Sequence, residues 1–311
     1  MRILTFTVPP EMDGARGKVF LRSVCGLSYR MVRSLKEVPD GITADGQLLR
    51  TIDRVRAGQR VEIHLPADVR PMQTPRVLPL TVVYEDDDVT VLDKPAGMPT
   101  HPSAGHADDT LANAAAAYFA AKGVSCGFRP INRLDRNTSG LLVAAKHAHA
   151  AARLSGRVDK IYFAVTEGIP PEAGTIDAPL RTMEGHGIRR EIGAGGAPAV
   201  THWRTMGVGA DHALLRVTID TGRTHQIRAH FCGMGFPLAG DDMYDGTTDR
   251  IGRHALHCAA VRFAHPVTGR TVVCTAPVPE DFAALLRGCG IAIPNSTDAL
   301  PFDGEISISD R

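Results

Sequence analysis

A single carboxylate, Asp135, lies between two arginines in a polar segment and is the first candidate for chemistry in this sequence. The segment, residues 132–140 (Asn-Arg-Leu-Asp-Arg-Asn-Thr-Ser-Gly), leads directly into an apolar run, Leu141 to Ala145. The run predicts a buried strand, and reactive side chains often lie on loops that such rigid elements hold in place. The same pattern also fits a surface turn with a solvated ion pair, since exposed ion pairs are common and contribute little.

Metal and serine-nucleophile chemistry have weaker support. His225 and His230 lie five residues apart, whereas a helical pair of metal ligands needs a spacing of four to share one face. The histidines and cysteine at residues 254–258 form a local cluster that has no matching second pair. Ser139 lies in Thr-Ser-Gly, which is not the Gly-x-Ser-x-Gly elbow of hydrolases. We therefore predict no metal site and interpret these histidines as structural.

Size and composition describe an ordinary globular protein with a basic N-terminal part. The chain has 311 residues, 43% hydrophobic and 22% charged, and a net charge of +1. Residues 1–60 carry eleven Lys/Arg against six Asp/Glu, an excess that suits a polyanionic partner. We find neither a signal peptide nor an apolar stretch near the roughly 20 residues that span a bilayer. The six scattered cysteines contain no Cys-x-x-Cys pair. This usage predicts reduced thiols in a cytoplasmic protein.

The order of apolar and polar segments divides the chain into four parts. Residues 1–66 predict two short helices followed by short strands, and the proline-containing residues 67–80 predict a linker. Residues 81–290 predict strands interrupted by helices around the Asp135 segment. Residues 291–311 turn polar and predict a loose tail.

Local patterns in the third part give further expectations. The acidic run at residues 85–88 is interpreted as a solvated hairpin turn. An alanine-rich helix is predicted over residues 110–122, capped by one of the two aspartates before it. A later helix is predicted to have Thr224 as its N-cap. Alternation in the strand over residues 159–165 places Lys160 and Tyr162 on one face.

The N-terminal part resembles, in degenerate form, the S4 RNA-binding module. The resemblance rests on Leu27-Ser28-Tyr29-Arg30, Asp45-Gly46 and Ala57-Gly58-Gln59-Arg60-Val61. Asp45 and Gln59 stand where that family usually has Asn and an acid. The resemblance implies a small α/β domain that binds RNA backbone. The basic residues expected to contact RNA there are Arg22, Arg30 and Arg33.

Five motifs over roughly residues 81–290 resemble those of the RluA-type pseudouridine synthases, in the same order. They are Lys94-Pro95-Ala96-Gly97 with His101-Pro102, residues 133–140, Lys160-x-Tyr162-x-Ala164, residues 222–228, and Leu256-His257 before Phe263-x-His265-Pro266. The resemblance implies an α+β fold on a mixed or antiparallel central sheet. One departure is Asn132, where the family commonly has His; an amide does not titrate near neutral pH.

The resemblance also implies an activity and the residues for it. A uridine in RNA is detached at its glycosidic bond, turned over and rejoined through C5, without cofactor or metal. Asp135 matches the catalytic Asp, which acts as a nucleophile at C1′ or assists glycal formation. Arg223 matches the cation that keeps this Asp ionised, and Tyr162 the tyrosine that packs on the target base. Arg133 matches the arginine that fills the space left by the flipped nucleotide.

RNA is thus the expected partner of a monomeric enzyme, with ribosomal RNA favoured over tRNA. Further expected RNA contacts are Lys94, Arg136, Lys160, Arg228 and the Gly/Arg-rich excursion at residues 181–200. Two alternatives of other classes remain. One is a non-catalytic RNA-binding or ribosome-assembly factor on the same fold. The other is a hydrolase that uses Asp135 to cleave a nucleosidic bond, although retaining glycosidases usually need a second carboxylate.

Overall fold

Two β-sheets with separate apolar cores organise the chain in a computed structural model, which describes residues 2–65, 73–124, 126–299 and 302. The first sheet and its helices lie in the N-terminal part. Its elements are β1 (Arg2–Thr7), α1 (Gly17–Ser23), α2 (Tyr29–Leu35), β2 (Ile42–Ala44), β3 (Gln47–Leu48) and β4 (Arg60–Leu65), with a 3-10 turn at Pro10–Met12. The sheet order is β1-β4-β2-β3, and all pairs are antiparallel. The two helices and short strands predicted for this part are therefore present.

The packing of the N-terminal part follows from the helical spacing of its apolar residues. Phe20 and Leu21 of α1 and Leu35 of α2 are fully buried against Val61 and Ile63 of β4. The predicted turn at residues 45–46 joins β2 to β3 with two residues of positive φ, 47° and 79°, as a tight hairpin requires. This α/β unit matches the expected architecture, while its assignment as an S4-like module stays a prediction.

The second sheet carries the candidate site. Its strands are β5 (Thr81–Glu85), β6 (Val89–Lys94), β7 (Arg129–Pro130), β8 (Ser139–Ala145), β9 (Val158–Glu167), β10 (Ala173–Asp177), β13 (Val200–Val208), β14 (His212–Ile219), β15 (Leu256–Ala264) and β16 (Thr271–Thr275). A separate hairpin pairs β11 (Leu180–Thr182) with β12 (Arg190–Ile192). The helices are α3 (Leu111–Ala121), α4 (Ala148–Leu154), α5 (Gln226–Gly233) and α6 (Glu280–Gly288), with 3-10 turns at Asp242–Tyr244 and Ser296–Ala299.

The strand order confirms the expected mixed sheet. It runs β10-β13-β14-β9-β15-β8-β6-β5, with β16 beside β15 and β7 beside β8. Within the described residues the β8–β15 pair is parallel and the other strand pairs are antiparallel. Gly140 makes that pairing possible. A Cβ at this position would lie 2.3 Å from the carbonyl oxygen of Cys258, so the glycine of the 133–140 segment is needed for close strand approach.

Two helix starts differ from the sequence-based expectation. The N-cap of α3 is Thr110, which forms a capping box with Asn113, so neither preceding aspartate caps the helix. The N-cap of α5 is His225, one residue after the predicted Thr224, and it has a left-handed φ of 55°. Local composition could not predict this start, because non-glycine residues rarely adopt that conformation.

The four-part division of the chain stays a prediction. Residues 73–80 contain neither helix nor strand, in keeping with the expected linker. The rest of that linker and most of the expected tail lie outside the described residues. No helix within the described ranges is long and apolar enough to cross a membrane.

Candidate active site

A polar cleft of about 590 Å³ opens where the loop between β7 and β8 faces β9 and the turn before α5. Segments that lie far apart in sequence meet there, because β9 neighbours β14 on one side and β15 on the other. The cleft contains all three residues expected to be catalytic and three expected to contact RNA. They are Asp135, Tyr162, Arg223, Arg133, Lys160 and Arg228.

Arg228 pairs with Asp135 at this site. Its Nη1 donates to Asp135 Oδ2 over 3.1 Å, and the two side chains are 6% and 18% exposed. The other edge of the same guanidinium donates from Nε and Nη2 to both oxygens of Asp241, each over 2.7 Å. Asp241 is fully buried, which raises the pKa of its carboxyl, while Arg228 opposes the shift. One buried arginine is therefore shared between two carboxylates.

The expected pairing of Asp135 with Arg223 is replaced by the Arg228 pair. Arg223 lies in the turn before α5, is exposed, and its Nε donates to the carbonyl oxygen of Pro198 over 3.0 Å. Arg228 lies in the first turn of α5, where its side chain is buried. The assignment of Arg228 to RNA contact is corrected for the same reason, because its buried guanidinium is bound to carboxylates.

His225 is a second side chain close to Asp135. Its Nε2 lies 3.8 Å from Asp135 Oδ2, and its Nδ1 is hydrogen-bonded to the hydroxyl of Tyr244 over 3.1 Å. Burial lowers the pKa of His225 to about 4, although Asp135 opposes the shift. The imidazole is therefore neutral near pH 7, and the positive charge next to Asp135 comes from Arg228.

Tyr162 lies on β9 with its side chain buried at the cleft. Burial raises the pKa of its phenol well above the ordinary value, and the thiol of Cys258 and the charge of Asp135 act in the same direction. The phenol therefore stays protonated at neutral pH. Lys160, two residues earlier on the strand, also lines the cleft, as the alternating pattern predicted, and its Nζ donates to the carbonyl of Val158.

Lys94 holds the Asp135 loop (residues 133–140) in place through backbone contacts, and its assignment to RNA contact is corrected. Its side chain is fully buried. The Nζ donates to the carbonyl oxygens of Pro95, Met98 and Arg136 over 2.9, 2.8 and 3.0 Å. An ammonium has three donors, and here each has a backbone acceptor. Burial lowers the pKa of Lys94 to about 7, with Asp135 opposing the shift. A lysine in this position cannot reach a phosphate.

The other end of the loop is fixed by side chains from β15 and the segment before it. Thr138 Oγ1 is hydrogen-bonded to His254 over 2.8 Å, and Ser139 Oγ to His257 over 3.0 Å. Arg253 Nη1 donates to the carbonyl of Asn137 over 3.1 Å. These contacts make the two histidines structural, as the sequence indicated.

Asn132 has a backbone-pairing role. Its Nδ2 donates to the carbonyl of Leu141 over 3.2 Å, and its Oδ1 accepts from the N–H of Val143 over 2.8 Å. The amide thus binds β8 as a neighbouring strand would. This anchor holds the start of the Asp135 loop next to the strand that follows it.

The remaining basic candidates lie in three parts of the chain. Arg133 and Arg136 are exposed next to Asp135, and Arg136 Nε donates to the carbonyl of Gly97. Exposed positions on α1 and α2 are occupied by Arg22, Arg30 and Arg33. The excursion at residues 181–200 contains the β11–β12 hairpin, in which Arg181 pairs with Glu191.

Asp241, Tyr244 and Arg253 are site residues that the sequence did not identify. Asp241 and Tyr244 lie in a loop with few apolar neighbours, and Arg253 lies in a segment singled out for its histidines. The signal that the sequence offers there is the glycine before Asp241. The structure shows why it is needed, because Gly240 has a φ of 77° and a Cβ added to it would lie 2.1 Å from the carbonyl oxygen of Arg253.

Comparisons with known proteins agree with this geometry. The family model described as RNA pseudouridylate synthase matches residues 88–232. The uncharacterised RNA pseudouridine synthase YhcT of Bacillus subtilis is 37% identical over 241 residues, which cover 75% of this chain and 80% of that protein. The ribosomal large subunit pseudouridine synthase D of Pseudomonas aeruginosa is 37% identical over 274 residues, which cover 80% and 84%. A solved structure, human RNA pseudouridylate synthase domain containing 1, is 28% identical with a TM-score of 0.54, covering 67% of this chain and 87% of that one.

Proposed function

We propose that this chain, which belongs to the family of RNA pseudouridine synthases, isomerises specific uridines in ribosomal RNA to pseudouridine. The observation that carries the proposal is a carboxylate held at a cleft by a single hydrogen bond. Asp135 is bound there by Arg228 through Oδ2, beside the buried ring of Tyr162. The name of the Pseudomonas aeruginosa relative supports ribosomal RNA as the substrate class.

The reaction redistributes the atoms of one nucleotide. The N1–C1′ bond breaks, the uracil turns over, and a C5–C1′ bond forms while a proton leaves C5 and N1 gains one. Attack of a carboxylate oxygen on C1′, or removal of the C2′ proton to form a glycal, both require Asp135 to be ionised. The Arg228 guanidinium places a positive charge 3.1 Å from that carboxylate.

Tyr162 and the exposed arginines of the cleft bind the flipped nucleotide and the RNA around it. A base must leave its stack to reach Asp135, at a cost of about a few kcal/mol that pocket contacts offset. The Tyr162 ring offers a packing surface for the base, and its neutral phenol can donate a hydrogen bond. Arg133 and Arg223 are exposed at the cleft, where they can fill the vacated stack and bind phosphate.

The substrate is bound over a wider surface than the cleft. We assign Arg136, Lys160 and the N-terminal residues Arg22, Arg30 and Arg33 to phosphate contacts, with the N-terminal part acting as an S4-like module. We propose that the enzyme acts as a monomer, since the cleft already brings Asp135, Tyr162 and Arg228 together without a residue from a second copy. We also propose a cytoplasmic location, since ribosomal RNA is the proposed substrate.

The test is pseudouridine formation in unmodified large-subunit ribosomal RNA, measured by mass spectrometry of nuclease digests. Wild type and Asp242→Asn, which removes an exposed acid from a nearby loop, should form pseudouridine equally. Asp135→Asn should reduce the rate by about 10⁴-fold or more, since it removes the reacting group.

Other outcomes identify the alternatives. Free uracil among the products indicates a hydrolase. RNA binding without pseudouridine in any cellular RNA, identical in wild type and Asp135→Asn, indicates a non-catalytic binding factor. If pseudouridine forms only in transfer RNA, the activity is confirmed and the substrate is transfer RNA instead of ribosomal RNA.

A further inference from the structure

The guanidinium of Arg228 is divided unequally between its two carboxylates. Asp241 accepts from Nε and Nη2 with both oxygens, each over 2.7 Å, which is the two-bond geometry that arginine and carboxylate prefer. Asp135 accepts from Nη1 alone, with Oδ2 alone, over 3.1 Å. The buried acid is therefore held more tightly than the acid at the cleft.

This division leaves one oxygen of Asp135 without a hydrogen bond from the described residues. The contacts of its carboxylate with Arg228 and His225 both involve Oδ2. An arginine without a second carboxylate would turn its two-donor edge toward Asp135 and bind both oxygens. Two strong hydrogen bonds would withdraw the oxygen that must reach the sugar.

The position of Asp241 is well fixed for such a role. Its backbone N–H donates to Leu238, and its carbonyl accepts from the N–H groups of Tyr244 and Gly246 over 2.9 Å each. The ring of Tyr244 lies against the guanidinium, with 4.9 Å from the Arg228 Cζ to the ring centroid. The guanidinium therefore has a carboxylate at one edge and an aromatic ring nearby, which restricts its rotation.

We propose that Asp241 is a positioning residue that holds Arg228 by one edge, so that Asp135 is bound through a single oxygen and keeps the other for the sugar. Asp241 does not touch RNA, because it is fully buried. The inference rests on the proposed pseudouridine synthase activity. It concerns how the ion pair is oriented, which can be observed without any RNA.

The experiment compares Asp241→Asn with Asp242→Asn, a neighbouring exposed acid that serves as the matched control. Single-turnover rates with saturating enzyme, RNA dissociation constants and crystal structures are measured for both. Asp241→Asn should lower the single-turnover rate by about 100-fold, the effect of misplacing a reacting group by about 1 Å, with an unchanged dissociation constant. In its crystal structure Arg228 should contact both oxygens of Asp135.

A double variant separates positioning from folding. In an Arg228→Lys background the ammonium cannot grip both oxygens in the same plane, so adding Asp241→Asn should change the rate little further. If Asp241→Asn does not fold, Asp241→Glu keeps the negative charge while moving the carboxylate. Its rate should fall by about tenfold at unchanged RNA affinity, since the guanidinium is displaced.

Each result then has one meaning. A normal rate per folded molecule in Asp241→Asn, or a structure in which Arg228 keeps its single contact with Oδ2, overturns the proposal. A weakened RNA affinity at normal rate overturns it as well. If the wild type forms no pseudouridine, the proposed function fails, and the position of Arg228 in the variant structure still decides the role of Asp241.

Discussion

The acidic turn at residues 85–88 and the Asp135 loop at residues 133–140 bind their carboxylates in opposite ways. Asp88 is 4% exposed, and its two oxygens accept from Nε and Nη2 of Arg2 over 2.8 and 2.9 Å. Its Oδ1 also meets His147 Nε2 over 2.9 Å. Asp135 has one hydrogen bond, through one oxygen, from Arg228. Both oxygens of Asp88 thus have hydrogen-bond partners. Within the described residues Oδ1 of Asp135 has none and lies at the cleft.

The acidic turn is thus a cross-link between parts of the chain, and its interpretation as a solvated turn is wrong. Glu85 binds Lys122, the C-cap of α3, and Lys146, which follows β8. Asp86 is hydrogen-bonded to His265 over 2.9 Å. Arg2 connects the first strand of the N-terminal sheet to Asp88. The single exposed acid of the run is Asp87, at 78%.

A cluster of acids does not by itself identify a reactive site. Ligand atoms of Asp86, Asp88 and His265 lie within 4.8 Å of one another, a spacing compatible with a cation. However, the guanidinium of Arg2 already supplies positive charge to Asp88. The distinguishing feature is the number of carboxylate oxygens left without protein partners, and that number depends on residues far away in sequence.

Neutralising Asp88 tests whether the acidic turn is structural. Asp88→Asn removes the charge that binds Arg2 and His147 in a buried site, so the free energy of unfolding should fall by about 4 kcal/mol. The rate of pseudouridine formation per folded molecule should be unchanged, the reverse of Asp135→Asn. Urea unfolding followed by circular dichroism, combined with the activity assay, measures both quantities.

The exposed neighbour Asp87 provides the control for this variant. Asp87→Asn should change the free energy of unfolding by less than about 0.5 kcal/mol, because surface ion pairs contribute little. Loss of activity in folded Asp88→Asn would contradict the view that the acidic turn is structural.

The structural role of the acidic turn also predicts how stability depends on pH. Burial alone would raise the pKa of Glu85, but hydrogen bonds from Lys122, Lys146 and Tyr118 lower it to about 2. Because the folded-state pKa lies below the unfolded value, the stabilisation is present above about pH 4.5 and is lost as the pH falls toward 2. Glu85→Gln should therefore be about 2 kcal/mol less stable than wild type at pH 7, and the difference should vanish near pH 2. A difference that stays constant with pH would indicate packing instead of charge.

The sequence predicted those features that depend on neighbouring residues. The β9 alternation, the helices of the N-terminal part and the 133–140 loop before a buried strand all follow local patterns. The partners of buried charges could not be predicted in this way. Arg2 lies 86 residues from Asp88, and Arg228 lies 93 residues from Asp135. Arg223 and Arg228 belong to the same motif, residues 222–228, so the sequence alone does not say which of them pairs with Asp135. In the structure the left-handed His225 starts α5, and Arg228 lies on its buried face.

Asn132, where relatives of the RluA type commonly have His, gives the smallest predicted effect. The amide donates to the carbonyl of Leu141 and accepts from the N–H of Val143, so it acts as an anchor for the Asp135 loop. Asn132→His can reproduce this pair only as a neutral imidazole, since a protonated ring has no acceptor. The rate at pH 8 should therefore stay within about threefold of wild type, whereas a general acid or base gained at this position would change it by about 100-fold or more.

The pH dependence of stability distinguishes an anchor from a proton carrier at this position. Protonation of the introduced imidazole would break its bond with Val143, so its folded-state pKa should lie below the unfolded value of about 6.5. The variant should then keep its stability above that pH and lose about 1 kcal/mol relative to wild type as the pH falls below it. The wild-type amide does not titrate, so urea unfolding at pH 8 and 5.5 isolates the effect. An activity that increases about 100-fold in Asn132→His, with stability independent of pH, would instead make this position part of the proton transfer.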